Sequence, residues 1–108
     1  NLVAVCGNCG KYISLSVALV ASDEPVGFNQ RGLTFDRISS TTKLGEPFDM
    51  RLTSGKFRVA DVNCSECTSA LGWKYDKSYQ QEGKAKEGLY VLHGLNFIQH
   101  RPHRPRLQ

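Results

Sequence analysis

The residues of this chain best suited to chemistry are four cysteines in two identical pairs, Cys6-Gly7-Asn8-Cys9 and Cys64-Ser65-Glu66-Cys67, and the chain has no others. A C-x-x-C spacing puts two thiolates on the same side of a tight turn. Two such turns brought together make a tetrahedron of sulfurs, the arrangement that Zn²⁺ takes in closed structural sites. The pairs are more than fifty residues apart, so one ion held by both would clamp the start of the domain to its second half.

Disulfides are the competing chemistry, with three possible pairings for four cysteines. A bridge inside either C-x-x-C would close a very small loop and constrain little. Redox C-x-x-C motifs open helices, and neither pair here precedes a helical pattern. The doubled motif therefore favours one structural Zn²⁺ held by Cys6, Cys9, Cys64 and Cys67, and with it a reducing compartment.

The elements that must carry these turns read as β throughout. Leu2 to Val5 runs into the first pair, and Gly10 after it allows the backbone angles that a metal knuckle needs. Tyr12 to Val20 fits one or two half-buried strands, Ser22-Asp23-Glu24-Pro25 a turn, Leu33 to Ile38 a strand, and Ser39 to Pro47 a polar loop. Phe48 to Thr53 is a short strand, Ser54-Gly55-Lys56 a hairpin turn, and Phe57 to Asn63 the strand entering the second pair. Beyond it Leu71, Trp73 and Tyr75 alternate onto one face. Asp76 to Glu87 reads as a surface loop with at most one helical turn. Leu89 to Leu92 is a strand that Leu95 to Ile98 extends past Gly94. Two domain-level segments result: residues 1–99 as one zinc-binding domain and residues 100–108 as a flexible basic tail.

A 108-residue chain buries roughly 60–70% of its unfolded surface, which makes a metal clamp a useful supplement. Its longest apolar stretch, Ile13 to Ala21, is short and broken by serines, so no membrane span is expected. The net charge is +4, but Arg101, Arg104 and Arg106 sit in the last eight residues, and without them +1 remains. Strong phosphate binding needs a clustered basic surface, and no such cluster is expected in the body of the chain. Lys74, Lys77, Lys84 and Lys86 are interleaved with Asp76, Glu82 and Glu87, the pattern of an ordinary solvated face.

The second half also resembles a known family. Val59-Ala60-Asp61-Val62-Asn63-Cys64-Ser65-Glu66-Cys67 followed by Gly72-Trp73-Lys74-Tyr75 is similar to the V-A-D-I-x-C-x-x-C and G-W-K-Y signature of the Yippee family. Lys86-Glu87-Gly88-Leu89-Tyr90-Val91-Leu92 resembles that family's Y-K-E-G-K-F-I-L segment, and Cys6-x-x-Cys9 matches its first pair. The likeness is weak from residue 10 to 56. There Gly32 to Ile38 and then Ser39-Ser40 stand where the family has G-x-A-Y-L-F-N-x-V-V-N-V, which marks a divergent member. The resemblance implies a mainly β fold, a β-tent of two antiparallel sheets pinned by one four-cysteine zinc site. It also implies a role around cell-division structures or in ubiquitin-ligase assemblies.

Fold sharing does not carry function, so each alternative is weighed on residues. Tent-shaped B-type methionine sulfoxide reductases use a cysteine nucleophile beyond the zinc ligands, and this chain has none to spare. A closed four-thiolate site also lacks the open position of catalytic zinc, so no enzyme is expected. The thalidomide-binding domain of cereblon holds its ligand between tryptophans. Trp73 with Phe35, Phe57 and Tyr75 is the candidate pocket for a small ligand or modified residue, against the plainer reading that these rings are core. Nucleic acid is disfavoured by the charge interleaving. His93, His100 and His103 have no place in a filled tetrahedron. The reading that stands is a non-catalytic module binding a protein partner through sheet edges and a concave face.

Overall fold

The computed structural model describes residues 2–27, 30–40, 42–53 and 55–99; the expected tail, 100–108, lies outside them. Ten strands form two sheets in which every pairing is antiparallel. The smaller sheet has the order β10-β1-β2, from Leu95–Gln99, Leu2–Cys6 and Tyr12–Leu15. The larger runs β3-β4-β9-β8-β7-β5, from Leu19–Gly27, Gln30–Phe35, Tyr90–Leu92, Ala70–Ser78, Gly55–Cys64 and Thr42–Leu44. Its seventh strand, β6 (Phe48–Leu52), pairs with β7 alongside β5. The two-sheet, mainly β architecture expected from the sequence is the one observed.

The chain passes between the sheets twice. After β2 a 3₁₀ turn, Ser16–Ala18, leads into β3 of the larger sheet. After β9 the chain returns at His93-Gly94 to form β10, which pairs with β1. Backbone hydrogen bonds stitch both crossings. The Asp36 N–H donates to the Ala18 carbonyl at 2.9 Å and the Ser39 N–H to the Ile13 carbonyl at 2.7 Å. At the other crossing His93 N–H donates to Leu71 carbonyl and Gly7 N–H to Gly94 carbonyl.

Two apolar clusters divide the interior. One lies between the sheets and draws Ala4, Cys6 and Ile13 from the smaller sheet and Phe35, Val62, Cys64, Leu71 and Leu92 from the larger. The other comprises Phe57, Val59, Trp73, Tyr75 and Val91, with Met50, Leu52 and Leu89 packed against it. Cross-strand partners share a face. Val59 faces Tyr75 and Trp73 faces Val91, so these residues line one side of the larger sheet. Val62, Gly72 and Leu92 line the other, toward the smaller sheet.

Several local expectations are corrected by pairing that the sequence does not display. Ser22 to Pro25 is no turn but part of β3. Pro25 is tolerated because β3 is an edge strand and the register shifts beside it. The strand expected to reach Ile38 ends at Phe35. Within the expected loop 39–47, Thr42–Leu44 pairs with Val62 to Cys64 as β5. The expected loop 76–87 contains the end of β8 and a six-residue 3₁₀ segment, Gln81–Lys86. Leu95 to Gln99 does not extend β9 but changes sheet. Leu71 does not share a cluster with Trp73 and Tyr75. The β7–β8 register shifts beside Leu71, and Gly72 follows with φ +147°, so the alternation breaks there.

Gly72 carries the tightest backbone approach of the larger sheet. A Cβ at this position would collide with the Val91 carbonyl oxygen, and its φ lies in the region that L side chains avoid. Gly72→Ala is expected to lower the unfolding free energy by about 3 kcal/mol or more, since neither neighbour is a side chain free to move. Denaturant titration of the purified chain checks this, and a loss under about 1 kcal/mol would mean that β8 and β9 can part there.

Candidate metal centre

Each cysteine pair sits where a strand ends. Cys6 closes β1 in the smaller sheet and Cys64 closes β7 in the larger. The two turns that follow have the same hydrogen bonds at equivalent positions. Cys6 N–H donates to the Lys11 carbonyl at 2.8 Å, and Cys64 N–H to the Ser69 carbonyl at 2.9 Å. Gly10 N–H donates to the Cys6 carbonyl at 2.8 Å, and Thr68 N–H to the Cys64 carbonyl at 2.9 Å. The backbone N–H groups of Lys11 and Ser69 are hydrogen-bonded to the sulfurs of Cys9 and Cys67 respectively. One turn thus repeats in both sheets, residues 6–11 and 64–69.

The repeat requires a left-handed backbone four residues after the first cysteine of each pair. Gly10 has φ +79° and Thr68 has φ +62°. Glycine takes that conformation freely, whereas a β-branched residue is strained by it. Thr68 is held by short hydrogen bonds: its hydroxyl donates to the Cys67 carbonyl at 2.6 Å, and the Asn63 side-chain amide donates to the Thr68 carbonyl at 3.2 Å. Sequence reading singled out Gly10 and missed Thr68. The signal was present, since aligning the two C-x-x-C units places Thr68 opposite Gly10.

The two turns bring the four sulfurs together. Cys6 Sγ is 3.6 Å from Cys67 Sγ, and Cys9 Sγ is 3.5 Å from Cys64 Sγ. All four lie within 4.8 Å of one another. A regular tetrahedron with Zn–S bonds of about 2.3 Å has sulfur–sulfur edges of about 3.8 Å. The observed spacing matches that size, and is far beyond the roughly 2.05 Å of a disulfide; all four cysteines are free thiols. Cys6 and Cys64 are buried, Cys67 half-buried and Cys9 exposed, so the site has a dry side and a wet side.

Four thiols this close cannot ionise independently. The Lys11 backbone N–H favours the Cys9 thiolate, but desolvation and the sulfurs of Cys64, Cys67 and Cys6 outweigh it and push the Cys9 thiol up to about 12. The Ser69 hydroxyl, 3.1 Å from Cys67 Sγ, acts with the Asn8 side chain and the Ser69 N–H to hold Cys67 down at about 6. The cluster mixes readily ionised and reluctant thiols, and a divalent cation is the charge that would let all four become thiolates. A weak exposed ion pair, Lys11 Nζ to Glu66 at 4.0 Å, joins the two turns at the rim.

Three of the four candidate pocket residues are brought together and the fourth is not. Phe35 belongs to the cluster between the sheets, whereas Phe57, Trp73 and Tyr75 belong to the cluster on the far side of the larger sheet. Phe35 and Phe57 are fully buried, Tyr75 is 1% exposed and Trp73 9%. Phe57 and Tyr75 pack at 4.7 Å between ring centroids, and Trp73 meets Tyr75 edge-on at 6.2 Å. These contacts are those of core rings. A cavity of about 170 Å³ does occur at the seam between β2 and the segment after β4, lined by Tyr12, Ser14, Leu15, Ala18, Arg37, Ile38 and Ser39. None of the four expected rings borders it.

Two antiparallel sheets joined at a four-cysteine cluster able to hold a metal ion define a class of β-domain, and comparison with known proteins narrows the class. The family described as "Yippee zinc-binding/DNA-binding /Mis18, centromere assembly" matches residues 2–100, and the chain belongs to this family. A yippee-like protein of Arabidopsis thaliana is 32% identical over 90 residues, covering 83% of this chain and 84% of that protein. A Schizosaccharomyces pombe yippee-like protein is 31% identical over 88 residues, 82% of this chain and 66% of its own length. Human protein yippee-like 3 is 28% identical over 87 residues, covering 81% and 71%. The crystal structure of the Mis18 'Yippee-like' domain superposes with a TM-score of 0.71 at 15% identity, covering 94% of this chain and 98% of that one, which shows a shared fold.

Strain at Thr68 can be tested without touching a cysteine. Thr68→Gly is expected to raise the stability of the zinc-loaded chain by about 0.5–1 kcal/mol, the relieved backbone strain less the added freedom of the unfolded chain. Thr68→Val, which keeps the branch and loses the hydroxyl, is expected to lower it. Thermal unfolding of both variants checks the pair, and a Gly variant no more stable than the parent contradicts the assignment of strain.

Proposed function

We propose that this chain is a non-catalytic zinc-binding module that mediates protein–protein contacts. Cys6, Cys9, Cys64 and Cys67 hold one Zn²⁺ in a structural role. The observation that carries the reading is the convergence of four sulfurs from two different sheets to within 4.8 Å of one another. Such an ion contributes about 10–16 kcal/mol of apparent binding free energy, comparable to the whole stability of a typical domain, about 5–15 kcal/mol. The fold and the metal are then a single equilibrium.

The geometry favours a binding role over catalysis. All four cysteines of the chain converge on the cluster, so no further thiol remains as a nucleophile. Four protein ligands leave zinc no open position for substrate. Among the described residues, β2 and β10 end the smaller sheet, and β3 at one side and β5 and β6 at the other end the larger, and open strand edges are where an extended partner segment adds. The module comprises residues 1–99, with the basic segment 100–108 following it, and a reducing compartment, nucleus or cytoplasm, suits its thiolates. No helix among the described residues is long and apolar enough to cross a membrane.

Metal analysis of the purified chain is expected to give one zinc per chain. Cys64→Ser is expected to lose the ion and the cooperative unfolding transition together. A Cys64→Ser chain as stable as the parent would remove the structural role of the metal. The interaction role has its own readout. The zinc-loaded chain is expected to retain specific proteins from a native lysate that the Cys64→Ser chain does not. A folded, zinc-loaded chain that retains none overturns the interaction reading and leaves the metal site standing.

A further inference from the structure

The distal part of the larger sheet gathers positive charge that no stretch of sequence displays. Arg51 pairs across strands with Lys56, Arg58 pairs with Lys77, and Ala60 pairs with Lys74. Cross-strand partners share a face, as do residues two apart on a strand. Arg51, Lys56, Arg58, Lys74 and Lys77 therefore stand on one face of β6, β7 and β8. All are exposed except the half-buried Lys74. The expectation that the body of the chain carries no basic cluster is corrected here. The five cations come from three strands, and in β7 they alternate with Phe57 and Val59, which point the other way.

Tyrosine rings hold the cations in place on this face. Lys56 and Lys77 each lie with Nζ 5.2 Å from the centre of the Tyr79 ring, and Lys74 lies 5.7 Å from that of Tyr90. One carboxylate is already seated among them. Asp49, paired across strands with Arg58, accepts a hydrogen bond from the Tyr79 hydroxyl at 2.7 Å and lies 3.5 Å from Arg58 Nη1. The face thus recognises a carboxylate through an arginine and a phenol.

The outer edge of β6 borders this patch, and among the described residues no strand pairs with it. The two faces of β6 differ. Asp49 and Arg51 lie on the cationic side. Phe48, 39% exposed, and half-buried Met50 lie on the other, where their partners Val59 and Phe57 form the apolar cluster. A strand added to this edge would place alternate side chains against cations and against apolar rings.

We propose that β6 is the docking edge of the module and that its partner is an extended segment alternating acidic and apolar residues, bound as an additional antiparallel or parallel strand. The proposal rests on the protein-interaction reading above and specifies its partner's chemistry. Backbone hydrogen bonds to β6 supply the register. Carboxylates meet Arg51, Lys56, Arg58 and Lys77, and apolar side chains cover Phe48 and Met50.

The test uses the full zinc-loaded chain and a fluorescent ten-residue peptide of alternating Glu and Val, read by anisotropy at low salt. Saturable binding is expected. Lys77→Glu is expected to weaken it about tenfold. Lys43→Glu makes the same charge change on the opposite face, beside Asn63, and is expected to shift it less than twofold. Unchanged melting temperature and zinc content show that both variants are folded. The same peptide with every backbone nitrogen methylated is expected to lose binding, because it keeps no N–H to donate to β6. Absence of binding by the Glu-Val peptide, equal weakening by both variants, or full binding of the methylated peptide each overturns the proposal. So does tighter, Lys77-dependent binding of a twelve-nucleotide oligothymidine, which would make the face a nucleic-acid surface. Lysate partners that bind the Lys77→Glu chain as well as the parent would overturn this edge while leaving the interaction reading intact.

Discussion

Four sulfurs within 4.8 Å of one another are a demanding arrangement. As thiolates they repel, and as thiols they waste polar groups in a partly dry site. The arrangement becomes favourable when a divalent cation binds them, and the rest of the architecture is organised so that it can. Neither sheet holds a complete set of ligands. The smaller sheet supplies Cys6 and Cys9 and the larger supplies Cys64 and Cys67, so the binding energy of an ion held by all four would be energy of holding the sheets at one end.

Around that junction the chain uses backbone more than side chains. The equivalent turns at 6–11 and 64–69 aim sulfurs by hydrogen bonds from the main chain, and both crossings between sheets are stitched in the same way. The apolar wall between the sheets includes Cys6 and Cys64 themselves, so metal ligation and core packing are one contact surface. Away from the junction, the larger sheet has a second cluster on its far side and an exposed cationic face on the near side.

Much of this was legible in the residues. The paired cysteines, the strand patterns of Leu2 to Val5, Phe48 to Thr53 and Phe57 to Asn63, and the G-W-K-Y segment all indicated a two-sheet β-domain with a cysteine junction. Alternation and cysteine spacing are local signals written by residue type. What failed was of another kind. Ser22 to Pro25 and Thr42 to Leu44 are polar or contain proline, and they are strands only because β4 and β7 offer them partners. Leu95 to Gln99 has the composition to prolong β9, and only the turn at Gly94 sends it to the other sheet. For the aromatic residues core was the plainer reading and a pocket the alternative, and packing divides them between two clusters.

By itself the sequence determined the number and chemistry of the cysteine ligands, the prevalence of β-structure and the family of the fold, because each depends on which residues are present and how they are spaced. Tertiary structure alone decided which strands share a sheet, where the chain changes sheet, and that Arg51, Lys56, Arg58, Lys74 and Lys77 meet on one face. These are relations between segments far apart in the chain. They are set by cross-strand pairing and by which side of a pleat each residue occupies, and neither quantity exists until the strands have found their neighbours.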